Sequence, residues 1–286
     1  MDADRAQNQW LPPAAYEPAR APAPAPPPRR TGAKRFTTPI VVALLAALKW
    51  GKALLLLLPK AKVLTTSASM LVSVAAYALI WGWRFAVGFV ALLFIHEMGH
   101  YIQLRREGVK PSGMLFIPFL GAAVGARSLG GSALAEARVG LAGPLLGSLA
   151  TAALLPIASA TDDDFWRALA FTGFFLNLFN LLPVVPLDGG RAMAAMAPWM
   201  WFVGFAAIVV LVLLWPNPIL ILIALLGGYE SYRRWKRRKA GEDGNADYYR
   251  VRPAHRLLVA AVYVGLIVAL AIGMDLTHVE RTFEDA

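Results

Sequence analysis

The sequence predicts an all-α polytopic membrane protein of about six to seven transmembrane helices, with a membrane-associated loop or β-hairpin between two of them. Three observations carry this expectation. Of 286 residues, 58% are hydrophobic and only 16% charged, with a mean hydropathy of +0.54. That is the balance of a bilayer protein rather than of a water-soluble domain. Apolar runs close to the roughly 20 residues that a helix needs to cross a bilayer recur along the chain. Basic residues gather at alternate ends of these runs, as they do at the cytoplasmic ends of membrane helices.

Residues 1–38, with "PARAPAPAPPPRRTGAKR" at their centre, are Pro- and Ala-rich and read as a disordered cytoplasmic tail. The acidic start and the missing apolar core set this tail apart from a signal peptide. Residues 39–62 are apolar, but basic at both ends and interrupted by Lys49 and Lys52, so an interfacial or re-entrant segment is expected. Apolar runs follow at 64–83, 85–104, 139–160, 165–182, 198–215, 218–231 and 256–273. The first six form a core over 63–232; a basic cytoplasmic loop, 233–255, then leads to a final transmembrane helix and short tail, 256–286. The cluster "YRRWKRRK" at 232–239 directly follows an apolar run, so it reads as a cytoplasmic anchor and no nucleic-acid partner is expected.

With Arg105, Arg106 and Lys110 inside, the 85–104 span runs inward and 139–160 exits toward Asp162, Asp163 and Asp164. The 165–182 span then returns to Arg191 on the inside. Residues 109–128, "VKPSGMLFIPFLGAAVGAR" and the residue after it, are apolar but broken by Gly and Pro. Such backbone is tolerated at membrane depth only where protein or a water-filled cavity covers it. A hairpin or loop dipping in from the cytoplasmic face is expected there.

One span carries chemistry. "HEMGH" places His96 and His100 four residues apart, on one face of a helix, with Glu97 beside them. Ionisable groups inside a membrane are costly, and a cluster of three is hard to explain as polar glue between helices. Two imidazoles can hold a divalent ion, and the adjacent carboxylate can serve as general base toward water. The absence of cysteine excludes thiolate ligands. His255 and His278, the other two histidines, sit at the start of the last run and in the tail, and read as surface residues. Asp188, in "NLFNLLPVVPLDGGR", lies three residues before Arg191, while His100 lies five before Arg105. The charge pattern therefore brings both fragments to one leaflet at similar depth, and one zinc ion held by His96, His100 and Asp188 is expected.

"HEMGH" in a membrane helix followed by "NLLPVVPLDGG" resembles the two signatures of the site-2 protease family of intramembrane zinc metalloproteases, H-E-x-x-H and N-x-x-P with L-D-G. "AGPLLGS" at 142–148 resembles the Gly-Pro segment between them, and the likeness covers about 63–230. The resemblance implies zinc binding by His96, His100 and Asp188, Glu97 as general base, and Asn180 as the amide that positions substrate or supports the oxyanion. Asn177, one turn earlier on the same face, is an alternative to Asn180. It further implies a transmembrane protein as substrate, cleaved in or near its membrane segment in regulated intramembrane proteolysis; the composition fits a multi-pass protein of the inner (plasma) membrane. The compact chain shows no PDZ-like or regulatory domain, which points to a separate regulatory partner or an upstream protease. Competing readings are a non-proteolytic metal-binding or transport protein, an inactive binding homologue, and another membrane H-E-x-x-H class with Glu as third ligand. For the last, Glu107 and Glu136 are the available residues, and both read as solvated.

Overall fold

The computed structural model describes residues 62–126, 128–161, 163–240 and 247–278. The expected tail and all but the last residue of the 39–62 segment lie outside the described residues. Helices form where the apolar runs predict them: α1 (Lys62–Trp81), α2 (Trp83–Arg106), α3 (Ala133–Ala152), α4 (Leu155–Thr161) and α5 (Asp164–Asn180). They continue as α6 (Asp188–Met196), α7 (Met200–Leu214), α8 (Pro218–Ala240) and α9 (Pro253–Thr277). The chain is an α-helical polytopic membrane protein, and its side chains agree with a lipid surround: Leu79 is 90% exposed and Leu213 75%.

Among the described residues, four stretches are long and apolar enough to cross a bilayer by themselves: Lys62–Trp81, Trp83–Arg106, Ala133–Thr161 and Pro253–Thr277. That is fewer than the expected six to seven. With 17 and 15 residues, α5 and α7 are shorter, and α8 turns from apolar to basic along its length.

The end of α2 is sharply defined. Gly108 takes φ 77°, its N–H donates to Arg105 O at 3.1 Å, and Val109 N–H donates to Leu104 O at 2.9 Å. This paired closure around a left-handed glycine is the Schellman stop, and it sets how far His100 lies from the basic end.

Between α2 and α3 the expected hairpin is present. β1 (Gly113–Ile117) pairs antiparallel with β2 (Gly121–Gly125), placing Met114 opposite Val124 and Phe116 opposite Ala122. Side chains of α1 hold the outer edge of β1. Thr66 Oγ1 donates to Met114 O at 2.8 Å, Ser69 Oγ accepts from Phe116 N–H at 3.2 Å, and the Tyr77 hydroxyl accepts from Phe119 N–H at 3.0 Å. Residues 114 and 116 thus turn their backbone groups outward. By register, Ala122 and Val124 do the same on the opposite edge, where no partner is found among the described residues.

Helix α3 is the centre of the bundle, packing on α2, α5, α6 and α9. Its N-terminus is capped by Ser132 Oγ, which accepts from Ala135 N–H at 3.2 Å. Glu136, on its first turn, is not solvated as expected from sequence: it is 2% exposed. Its carboxylate accepts from Arg234 of α8 at 2.7 Å and from the Tyr248 hydroxyl at 2.5 Å. A carboxylate can be buried here because two donors compensate its lost hydration. Burial and the Glu136 carboxylate together push the Tyr248 phenol well above its usual pKa. Glu107 is also engaged, accepting from Gln103 Nε2 at 2.7 Å.

Candidate metal centre

Two helices deliver the three ligands of the centre. His96 and His100 face inward one turn apart on α2, and Asp188 is the first residue of α6. The helix α6 was not anticipated. Asp188 was expected to follow a Pro-broken stretch, and it does, but a new helix starts at the aspartate itself. Two hydrogen bonds hold this corner: Tyr263 of α9 donates to Leu181 O at 2.5 Å, and Trp201 Nε1 of α7 donates to Gly190 O at 2.7 Å.

All three side chains are buried, at 2%, 4% and 5% exposure for His96, His100 and Asp188. His96 Nε2, His100 Nε2 and Asp188 Oδ2 are mutually 3.1 Å apart. The other ring nitrogens decide what these contacts are. His100 Nδ1 lies 2.7 Å from Val139 O, which can only accept, so Nδ1 carries the proton. His96 Nδ1 lies 2.8 Å from Asn177 Oδ1, and the orientation of that amide is set by its Nδ2 donating to Gly173 O at 2.8 Å. His96 Nδ1 is therefore the donor as well. With both rings neutral, the two Nε2 atoms present lone pairs toward a carboxylate oxygen. Three acceptors converging in a buried site without a proton between them call for a cation. Their spacing is near the roughly 3.3 Å between ligand atoms of a tetrahedral site with bonds of about 2.0–2.1 Å. The residues present fit a zinc ion with one open position.

Close packing seats the rings. A Cβ on Gly143 of α3 would overlap the His100 ring, and one on Gly147 would overlap the Asn177 amide. Gly99, inside the motif, leaves room for Ala142 O. "AGPLLGS" is thus the segment whose missing side chains let α2 and α5 reach the metal centre across α3.

Glu97, 5% exposed, is not among the three clustered ligands. It lines a cleft of about 250 Å³ together with His96, His100, Asp188 and Asn180. Ala122, Ala123 and Val124 of β2 form the facing wall. Arg191, expected as an anchor, lies at the cleft with Nη1 3.6 Å from Asp188 Oδ1. Among the described residues, Glu107, Glu136, His255 and His278 take no part in the ligand cluster.

The two asparagines separate by position. Asn177 is 1% exposed and touches His96, not the cleft. Asn180 lines the cleft, and one Nδ2 hydrogen is committed to Leu176 O at 3.0 Å, leaving the other for a ligand. Sequence spacing could not separate them, because both sit on one helix face. Asn177→Ala is expected to weaken metal binding about 10- to 100-fold, the usual cost of removing an outer partner of a ligating histidine. Asn180→Ala should leave metal content unchanged and lower kcat by about 10²- to 10³-fold, the cost of one oxyanion donor. Metal analysis beside turnover of each variant checks this division.

Comparison with known proteins agrees with the geometry. The model of peptidase family M50 matches residues 84–162 and 156–211. The chain is 32% identical over 128 residues to zinc metalloprotease MJ0392 of Methanocaldococcus jannaschii, covering 43% of this chain and 37% of that protein. It is 36% identical over 124 residues to the putative zinc metalloprotease Rip3 of Mycobacterium tuberculosis, covering 38% of this chain and 30% of that protein. The alignments thus span only about a third of each relative, 37% and 30%. The family-model match includes His96, His100 and Asp188. Over residues 84–211 the chain is thus similar to peptidase family M50, the site-2 protease family.

Proposed function

We propose that this chain is an intramembrane zinc metalloprotease of the inner (plasma) membrane. In this reading it hydrolyses peptide bonds in or near transmembrane segments of other membrane proteins, in regulated intramembrane proteolysis. The active site opens toward the cytoplasmic face, and a separate regulatory partner or an upstream protease supplies the trigger. The observation that carries the reading is the convergence of His96, His100 and Asp188 as three bare acceptors, with Glu97 in the same cleft. A transport or purely structural site has no need of a carboxylate base beside the ligands.

One zinc ion held by these three side chains supplies Lewis acidity and makes water easier to ionise. Glu97 takes the proton of the attacking water and returns it to the departing amine. The free Asn180 N–H donates to the oxygen on which negative charge develops. Arg191, beside Asp188, holds the carboxylate in place.

A transmembrane helix hides its carbonyls in its own hydrogen bonds and must unwind before hydrolysis. The open edge of β2 suits the unwound segment, because edge addition satisfies exposed backbone groups. Val124→Pro removes an outward donor on that edge. It is expected to reduce cleavage strongly while metal content stays at the wild-type level; undiminished cleavage would contradict the docking. Co-expression with a panel of tagged single-span membrane proteins tests the function itself. Release of a tagged fragment only in the presence of the chain supports proteolysis. Metal flux into vesicles with no cleavage of any substrate would favour a carrier.

A further inference from the structure

A second groove, of about 410 Å³, shares no residue with the catalytic cleft. It lies between the Arg106 end of α2 and the opening turns of α3 and α9. Its α3 wall consists of Leu134, Arg138, Leu141, Ala142 and Leu145, and its α9 wall of His255, Leu258, Val259 and Val262. Each set has the spacing of a single helix face.

The chemistry changes along both stripes. Arg106, Gln103, Arg138 and His255 surround one end. Leu145 lies seven residues beyond Arg138, and Val262 seven beyond His255, about 10 Å further along their helices. Both helices belong to stretches able to cross a bilayer, so this direction leads from the interface into the hydrocarbon. At the polar end, Arg106 has no carboxylate partner among the described residues. Arg138 has only Glu107, at 3.6 Å. Among the described residues, two guanidinium groups and a histidine thus meet a single carboxylate, above an apolar floor.

A soluble anion would leave the floor unused, and an uncharged lipid would leave the guanidinium groups unmatched. We propose that the groove binds an anionic glycerophospholipid, with its phosphate against Arg106 and Arg138 and one acyl chain between α3 and α9 over Leu141, Leu145 and Val262. Basic pockets between membrane helices are suited to such headgroups, and long basic side chains reach readily to the interface. Ala142 in the groove wall also packs its carbonyl against Gly99 of the histidine motif. The lipid therefore lies behind the α2–α3 contact that seats His100.

The test titrates the full chain in detergent micelles with phosphatidylglycerol, phosphatidylcholine or soluble glycerol 3-phosphate, counting bound molecules by native mass spectrometry. One phosphatidylglycerol is expected to remain bound at concentrations where neither of the others does. The double variant Arg106→Ala/Arg138→Ala should weaken binding about 30-fold, from two lost basic contacts. Leu145→Trp, which fills the floor and keeps both charges, should weaken it comparably. Leu258→Trp takes its place if that variant fails to fold by its melting temperature. Arg105→Ala, exposed on the same helix end but outside the groove, should bind as wild type does. Equal binding of the two lipids, tight binding of glycerol 3-phosphate, or wild-type affinity in the double or floor variants would overturn the proposal. So would an Arg105→Ala loss as large as that of the double variant, which would mean general surface charge.

Discussion

Replacing Glu97 with Gln is expected to abolish measurable cleavage, a fall of about 10²- to 10⁴-fold or more, with metal content unchanged. The geometry separates these two outcomes. Glu97 lies in the cleft but outside the cluster of His96, His100 and Asp188, so its carboxylate can be neutralised without removing a ligand. Glutamine keeps the length and polarity of the side chain but cannot accept a proton from water at neutral pH. Metal content by mass spectrometry and fragment release from a tagged substrate, on the same preparation, are the two measurements. Substantial cleavage by Glu97→Gln would mean that another group takes the proton. Loss of metal from this variant would make Glu97 a ligand and not the base.

Asp188→Ala is expected to lose both properties. The aspartate supplies one of the three ligand atoms found among the described residues, and its oxygen lies 3.1 Å from each histidine nitrogen. Without it two neutral imidazoles remain, too few for a stably held catalytic zinc. The variant should purify without stoichiometric metal and show no cleavage even with zinc added at micromolar levels. Its fold should survive, because the corner at Asp188 is held independently by the Tyr263–Leu181 and Trp201–Gly190 hydrogen bonds. A variant that retained its zinc would place the third ligand elsewhere. Glu136 is then a poor substitute, since its carboxylate is taken up by Arg234 and Tyr248.

Much of this arrangement was readable from residue order, for specific physical reasons. Long apolar runs have few alternatives to helix in a bilayer, so α1, α2, α3, α5, α7, α8 and α9 were expected near their observed places. The Gly- and Pro-broken stretch before α3 could not continue as helix, and a hairpin forms there. H-E-x-x-H encodes its own geometry, because a four-residue spacing is one helix face. Other features depend on long-range contacts that no local pattern reports. The short helix α6 follows a Pro-rich segment that reads as loop, and its start is fixed by partners on α7 and α9. Glu136 looked solvated beside Arg138, yet its partners, Arg234 and Tyr248, are 98 and 112 residues away. The separate settings of Asn177 and Asn180 follow from which groups α2 and α3 present to each. Counting apolar runs also does not give the number of full-length spans, since α5 and α7 are shorter than a bilayer normally requires.

The proposed protease activity depends on a metal ion held by His96, His100 and Asp188. The most direct measurement is cleavage of a tagged single-span substrate by the purified chain in reconstituted bilayers. Activity is recorded as isolated, after metal removal by a chelator, and after return of zinc. Cleavage should vanish on removal and be restored by one equivalent of zinc in the wild-type protein, but not in Asp188→Ala. Cleavage that persists in metal-free protein, or that zinc restores equally in Asp188→Ala, would contradict the account.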